Sequence, residues 1–397
     1  MRVLCSTQMG YDSTVLGQTM RSIAVARALE RGGHEVVFLA GAKLAPIVAQ
    51  HGLRVIEAPV PDPTFAPALL SAMGSPEERA QALARLAAAL PDLIDVDAKA
   101  IAAERPDVLL GANLTGAIAA RAAGIPSALV ILQPHGEATI RMLAELVRGS
   151  RAIEDLLREV AEAASLVLVE GMPALAAGVP FPFAWAAREA EKVRYVGPLL
   201  ADAFEELPPR DELRARHAGV RGEPLVYVTI GGGSPLIGEE FLRIVVEMLR
   251  RAPALRGFIA TGLDVAPERL PDLPGNVILR SFVPGTELVA ASDVTIFHGG
   301  SSTLMTCIAC GTPAVVVPSM AEQEDNAAAL AAGGAGLVLE KGALTVEALL
   351  AAVQTILGDP RYREGAARLQ ELGRRAGGAP RAAELVASLV APARGAS

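Results

Sequence analysis

Along the chain, short unbroken apolar runs alternate with longer Ala-, Leu- and Arg-rich stretches whose apolar positions recur with helical period. The spacing predicts a strand over Arg2–Ser6, a helix over Thr19–Arg31 and a strand over Glu35–Ala40, then a helix near Lys43–His51 and a strand near Leu53–Glu57. A long helical region falls within Pro76–Glu104, followed by a strand over Asp107–Gly111, a helix near Thr115–Ala123 and a strand over Ser127–Leu132. The run Ala-Leu-Val-Ile-Leu in that last strand has no polar alternation, as in a strand buried on both faces. A helix near Arg151–Ala164 and a strand over Ser165–Glu170 close the first half. From Leu199 to Gly222 the residues turn charged and Pro-rich, which marks a connection between domains. A second β/α series then opens with Leu225–Ile230, turns at Gly231-Gly232-Gly233 and enters a helix over Glu239–Arg251. Strands follow at Gly257–Ala260, Val277–Arg280, Val294–Phe297, Ala314–Val317 and Gly336–Leu339. A terminal helix over Ala379–Val390 is amphipathic enough to dock on a neighbouring layer.

Such alternation implies parallel, doubly wound α/β sheets. The expected organisation is a first Rossmann-like domain over residues 1–199, a linker over 200–222, a second Rossmann-like domain over 223–378, and a C-terminal helix and tail over 379–397 docking back on the first domain. Two such domains facing across a cleft would bind ligands on loops that follow the strands. Composition narrows the class. With 51% hydrophobic and 20% charged residues, the chain is too apolar for disorder and too interrupted for a membrane bundle. A net charge of −8 gives no reason to expect nucleic acid or an anionic membrane as the main partner. Cys5, Cys307 and Cys310 cannot build a disulfide framework, and the first residues turn polar too soon for a signal peptide, so a cytoplasmic location is expected. The Cys307-x-x-Cys310 pair lies in an apolar helix without a second ligand pair, which favours packing over zinc.

The chemistry concentrates after the strand that ends at Phe297. His298-Gly299-Gly300-Ser301-Ser302-Thr303 leads into an apolar helix, then come Gly311-Thr312-Pro313, the apolar Ala314–Val317, and Glu322-Gln323-Glu324-Asp325-Asn326. A strand, a small-residue turn and a helix N-terminus offer free backbone N–H groups and the positive end of a dipole, enough to hold phosphate without a metal. Such a turn is also what a plain N-cap looks like.

Taken together, these residues resemble the donor-binding signature of the nucleotide-sugar glycosyltransferases with the two-Rossmann GT-B fold, the UDP/dTDP-glycosyltransferase superfamily that glycosylates antibiotics, plant metabolites and xenobiotics. Its pattern, H-x-G-x-G-T-x-x-E followed by G-x-P and P-x-x-x-D-Q-x-x-N-A, aligns over His298–Ala327 without a gap. Val193–Pro198 is similar to the family's V-G-P and Phe282-Val283-Pro284 to its W/F-V-P. The resemblance implies an acceptor-binding first domain, a donor-binding second domain, a nucleotide-sugar co-substrate, no metal or other cofactor, and transfer with inversion.

It also implies roles. His298 and the backbone of Gly300, Ser301, Ser302 and Thr303 would bind the diphosphate, joined by the turn Gly231, Gly232, Gly233 and Ser234. Phe282 would lie on the base and the Val283 backbone would bond its edge, although Phe282 also reads as a core ring. Glu322 and Gln323 would hold donor-sugar hydroxyls. Three positions depart from the pattern. Ser302 replaces the second Gly, Glu322 replaces Asp, and Thr306 stands where many members have the Glu that binds the ribose diol, which makes a dTDP-sugar a serious candidate beside a UDP-sugar. The family's general-base His falls on Gln18, and an amide cannot take the proton. Asp12 or His135 could substitute, or the acceptor could be an amine, acidic phenol or enolate-like carbon, with Gln18 only orienting it.

The expected activity is therefore transfer of a hexose-type sugar from a dTDP- or UDP-sugar to a small apolar or aromatic natural-product acceptor. Trp185 and the neighbouring Phe181-Pro182-Phe183 could line the acceptor pocket or anchor the domains. No integral membrane segment is expected, and a homodimer is left open. The rival readings are a glycolipid or cell-wall transferase of the same fold, a hydrolysing nucleotide-sugar epimerase, or a nucleotide-sugar-binding protein that has lost catalysis. The first of these would want a basic face, and Arg141, Arg148, Arg151 and Arg158 are interrupted by Glu145, Glu154 and Asp155.

Overall fold

The computed structural model describes residues 1–7, 16–59, 76–111, 115–132, 136–148, 151–175, 188–201, 207–219, 222–231, 238–262, 265–270, 272–281 and 283–390. The first sheet contains β1 (Arg2–Thr7), β2 (Glu35–Gly41), β3 (Arg54–Ala58), β4 (Val108–Gly111), β5 (Ser127–Leu132), β6 (Leu166–Glu170) and β7 (Val193–Tyr195). Their spatial order is β3-β2-β1-β4-β5-β6-β7, and every pairing is parallel. The second sheet contains β8 (Leu225–Thr229), β9 (Arg256–Ala260), β10 (Val277–Arg280), β11 (Val294–Phe297), β12 (Ala314–Val316) and β13 (Gly336–Val338), ordered β10-β9-β8-β11-β12-β13 and again all parallel. Two parallel-sheet α/β domains are the expected fold class.

The central strands are buried on both faces, because parallel crossovers place helices on each side. Val3, Leu4, Cys5 and Val36 to Ala40 in the first sheet, and Leu225 to Val228 in the second, are at most 3% exposed. In each sheet the strand order reverses once, between β1 and β4 and between β8 and β11. These reversals open crevices at the carboxyl ends of the strands, which is where ligands enter such sheets.

The chain's end crosses between the domains. The helix Pro360–Ala376 packs Ala366 and Leu369 into the second domain's core, the backbone turns at Gly377 and Gly378, and the Gly378 amide donates to Val196 O at 2.6 Å. The next helix, Gly378–Ser388, buries Ala379, Ala382, Ala383 and Val386 in the first domain's core beside Ile23 and Val25 of the helix Leu16–Arg31. The expected docking of the C-terminal helix on the first domain is thus present. Within the stretch expected to be a connection, residues 210–218 form a helix, Arg210–Ala218, whose Leu213 is fully buried in the second domain's core. The helices Glu137–Arg148, Gly285–Ala291, Val346–Gly358 and Pro360–Ala376 were not among the elements expected from periodicity. No helix among the described residues is long and apolar enough to cross a membrane.

Candidate functional site

The crevice of the second sheet is built from the turns that leave β8 and β11. Thr229 and Phe297 are register partners at the ends of these strands, so Gly231 and His298 come out side by side. A methyl group on Gly231 would sit 3.1 Å from His298 Cε1, which measures how closely the turn approaches the imidazole. His298 is 9% exposed and its Nδ1 has no hydrogen-bond partner in the structure. Burial holds its pKa down at about 4, so the ring is neutral at physiological pH. The ring packs against both glycine turns, its Cε1 toward Gly231 and its Nε2 toward Gly300, and a neutral imidazole has one nitrogen that donates and one that accepts.

The helix Ser301–Cys310 begins at Gly300, and no side chain caps it. Its first amides therefore have no side-chain acceptor and lie at the positive end of the dipole. A second helix, Ala321–Ala332, is tied to this start. Asn326 Nδ2 donates to Gly299 O at 2.8 Å and to Ser301 Oγ at 3.1 Å, and Ser301 Oγ donates to Glu322 Oε1 at 2.6 Å. Gln323 is buried, and its Oε1 accepts from Ser319 N and Ser319 Oγ at 3.0 and 2.8 Å. That leaves the Gln323 NH2 as the group able to donate to a ligand. Ser302 is exposed, and Thr306 donates its hydroxyl to Ser302 O at 2.8 Å along its own helix. Val283 is partly buried against the second domain's core, just before Pro284 opens the helix Gly285–Ala291. His298, Gly231, Gly300, Ser301, Glu322 and Gln323 are thus brought together; Phe282, Gly232, Gly233 and Ser234 lie outside the described residues.

Across from this crevice stands the first domain. Gly17, at the start of the helix Leu16–Arg31, approaches Ser302 so closely that a methyl on it would lie 2.7 Å from the Ser302 Oγ. Gln18 is half-buried at the same helix end. One turn further, Arg21 forms a buried ion pair with Glu170 at 3.4 Å, and Glu170 Oε1 accepts from Leu199 N at 3.0 Å. Burial pushes the Glu170 carboxyl up to about 7, against the lowering by Arg21 and the Leu199 amide. At the crevice of the first sheet, the buried Asp97 accepts from Ser6 Oγ at 2.5 Å and from Thr115 Oγ1 at 2.7 Å. Asp12, His135, Phe181, Pro182, Phe183 and Trp185 lie outside the described residues. Arg21, Glu170 and Asp97 give no signal in the sequence because each meets partners far along the chain, and no local pattern marks a through-space pair.

The two buried titrations act in opposite directions on stability. His298 binds its proton near 6.5 when unfolded and near 4 when folded, so stability is complete above 6.5 and is lost as pH falls through that window. Glu170 is the reverse: its contribution is complete below 4.5 and is lost as pH rises through about 7. Thermal melts of a His298→Gln variant should therefore fall less steeply than wild type between pH 6.5 and 4.5. Parallel curves would mean that the imidazole titrates normally.

Comparison with known proteins shows what this chain is similar to. Residues 255–391 match the domain family described as erythromycin biosynthesis protein CIII-like, C-terminal domain. The chain is 36% identical over 179 residues to demethyllactenocin mycarosyltransferase of Streptomyces fradiae, a stretch that covers 43% of this chain and 37% of that protein. It is 27% identical over 378 residues, 90% of this chain and 91% of the other, to an uncharacterized glycosyltransferase of Methanosarcina mazei. Among solved structures, the glycosyltransferase of kitacinnamycin superposes with a TM-score of 0.73 at 21% identity, covering 98% of both chains. Glycosyltransferase VinC in complex with dTDP does so with a TM-score of 0.69 at 19% identity, covering 98% of this chain and 99% of that one. Residues 255–391 thus carry an EryCIII-like C-terminal domain, and the whole chain has the two-domain fold of these glycosyltransferase structures.

Proposed function

We propose that the protein moves a sugar from a dTDP- or UDP-sugar to a small apolar or aromatic natural-product acceptor, without a metal and with inversion at the anomeric carbon. The observation that carries this reading is the buried, neutral His298 with its unpartnered Nδ1, set between the Gly231 turn and the uncapped start of the helix Ser301–Cys310. A diphosphate in that crevice meets one imidazole and a row of free amides. The VinC complex with dTDP supports a dTDP-type donor for a chain of this fold.

In the proposed reaction the acceptor's nucleophilic atom attacks the anomeric carbon in line with the departing diphosphate. The new bond forms on one face of the sugar while the bond to the phosphate oxygen breaks on the other. Charge then grows on the leaving diphosphate, where the helix amides lower the barrier because they are already oriented. Glu322 and Gln323 hold the sugar, so the two reactants meet at fixed geometry. Gln18 orients the acceptor and takes no proton; the acceptor's proton goes to Asp12 or His135, or to solvent where the acceptor is already acidic.

Calorimetry with dTDP, UDP, GDP and ADP, with and without EDTA, tests the donor half. Tight binding of dTDP or UDP that EDTA leaves unchanged is expected. His298→Ala should weaken it by ~1–3 kcal/mol, the range for losing a buried or charge-assisted hydrogen bond. If none of the four nucleotides binds wild type, the crevice is shared scaffolding and the donor assignment fails.

A further inference from the structure

The helix Glu137–Arg148 of the first domain starts without a cap of its own. Gly136 occupies the N-cap position, with its carbonyl accepting from the Ile140 amide at 3.2 Å, but it has no side chain to satisfy the next amides. Those amides are taken by the other domain. Asp325, on the helix Ala321–Ala332, accepts from Ala138 N at 3.1 Å through Oδ1 and from Thr139 N at 2.8 Å through Oδ2. The fit requires the glycine: a methyl on Gly136 would lie 2.6 Å from Asp325 Oδ1. A carboxylate at this spot also meets the positive end of the helix dipole.

We infer that Asp325 is an interdomain latch, a donor-side carboxylate that caps an acceptor-side helix and so sets how the two halves of the cleft are held. The latch connects to the donor crevice through its neighbour. Asn326 bonds Gly299 O and Ser301 Oγ, and Ser301 bonds Glu322, so a ligand that settles the start of the helix Ser301–Cys310 also settles Asp325. Donor binding therefore tightens the cap, and by linkage the cap favours the donor-bound arrangement. Asp325 acts as a positioning residue, since both its carboxylate oxygens are taken by the helix amides. This coupling rests on the donor assignment above; the cap itself does not.

Hydrogen exchange of the full-length protein over residues 136–140 tests both parts, with dTDP and UDP as probes. In Asp325→Ala the Ala138 and Thr139 amides should exchange roughly five-fold faster, the scale of one lost cap, and Asp325→Asn should fall between the two because it keeps one acceptor oxygen. In wild type, nucleotide should slow these amides; in Asp325→Ala it should not, although calorimetry still reports binding. Adding Gly136→Ser to Asp325→Ala supplies a cap within the same domain. It should restore the slow exchange of the free protein without restoring the nucleotide response, which a merely helix-stabilising role for Asp325 would restore. Unchanged exchange in Asp325→Ala, or a nucleotide response that survives it, overturns the latch. Should neither nucleotide bind wild type, the donor assignment fails, and the exchange of the free variants still decides the cap.

Discussion

Gly299→Val is expected to weaken dTDP or UDP binding by at least ~100-fold, about 2.7 kcal/mol. Gly299 has a φ of 92°, a conformation that a β-branched residue adopts only with strain. Its missing side chain is also occupied space, since a Cβ would lie 2.8 Å from Gln323 O and 2.9 Å from Gln323 Cβ. Backbone cannot swing aside as a flexible side chain does, so either the turn or the helix Ala321–Ala332 must move. Moving the turn carries His298 and Ser301 with it. Moving the helix breaks the Asn326 bond to Gly299 O and displaces Glu322 and Gln323. Either route spoils the crevice at both ends. Calorimetry on a variant shown by circular dichroism to be folded measures the loss. A dissociation constant within three-fold of wild type would place the ligand elsewhere.

The same turn shows why this crevice is readable in the sequence. His298, Gly300, Ser301, Glu322 and Gln323 lie in one short stretch, and a β-strand, turn and helix are local structures whose residues must occur in order. Periodicity likewise exposed the buried strands, since Val36 to Ala40 or Val294 to Phe297 carry almost no polar positions. Other parts left no local trace. Asp325 is an ordinary acidic residue in a helix until the fold brings Gly136 to it. The helix Arg210–Ala218 reads as a charged connection because its arginines, Asp211 and Glu212 outnumber its apolar residues. Only the tertiary contact turns Leu213 inward and buries Arg214. The sequence marks Gln18 as an exception to the family's base without naming the replacement, because a proton acceptor is defined by distance to a substrate and not by spacing along the chain.

Asp293→Ala is expected to cost the second domain about 3–5 kcal/mol, the penalty for leaving a buried cation without its partner. Asp293 stands at the entrance to β11, the strand that delivers His298. Its Oδ1 accepts from Arg210 at 2.5 Å, and its Oδ2 accepts from Arg214 and from the Leu225 amide, each at 2.8 Å. Arg214 is only 7% exposed, and without the carboxylate it keeps two carbonyl oxygens, Ala291 O and Glu223 O, and no countercharge. At roughly 2–4 °C per kcal/mol for a domain of this size, its melting transition should fall by about 10 °C. Burial alone would raise the Asp293 pKa, but the hydrogen bonds from Arg214 and Leu225 and the charge of Arg210 hold it below the usual carboxylate range. Its contribution is therefore complete above the unfolded value of 3.8 and is lost as pH falls below it. The gap between wild type and Asp293→Ala should be constant at neutral pH and close in acid. Asp293→Asn keeps an oxygen for one partner and should lie between them. Nucleotide affinity measured well below the melting transition should change less than three-fold, because the strand still ends at His298. A melt that differs from wild type by under 2 °C would mean that the arginines find other partners and that the carboxylate is not what fixes the helix Arg210–Ala218 to the sheet.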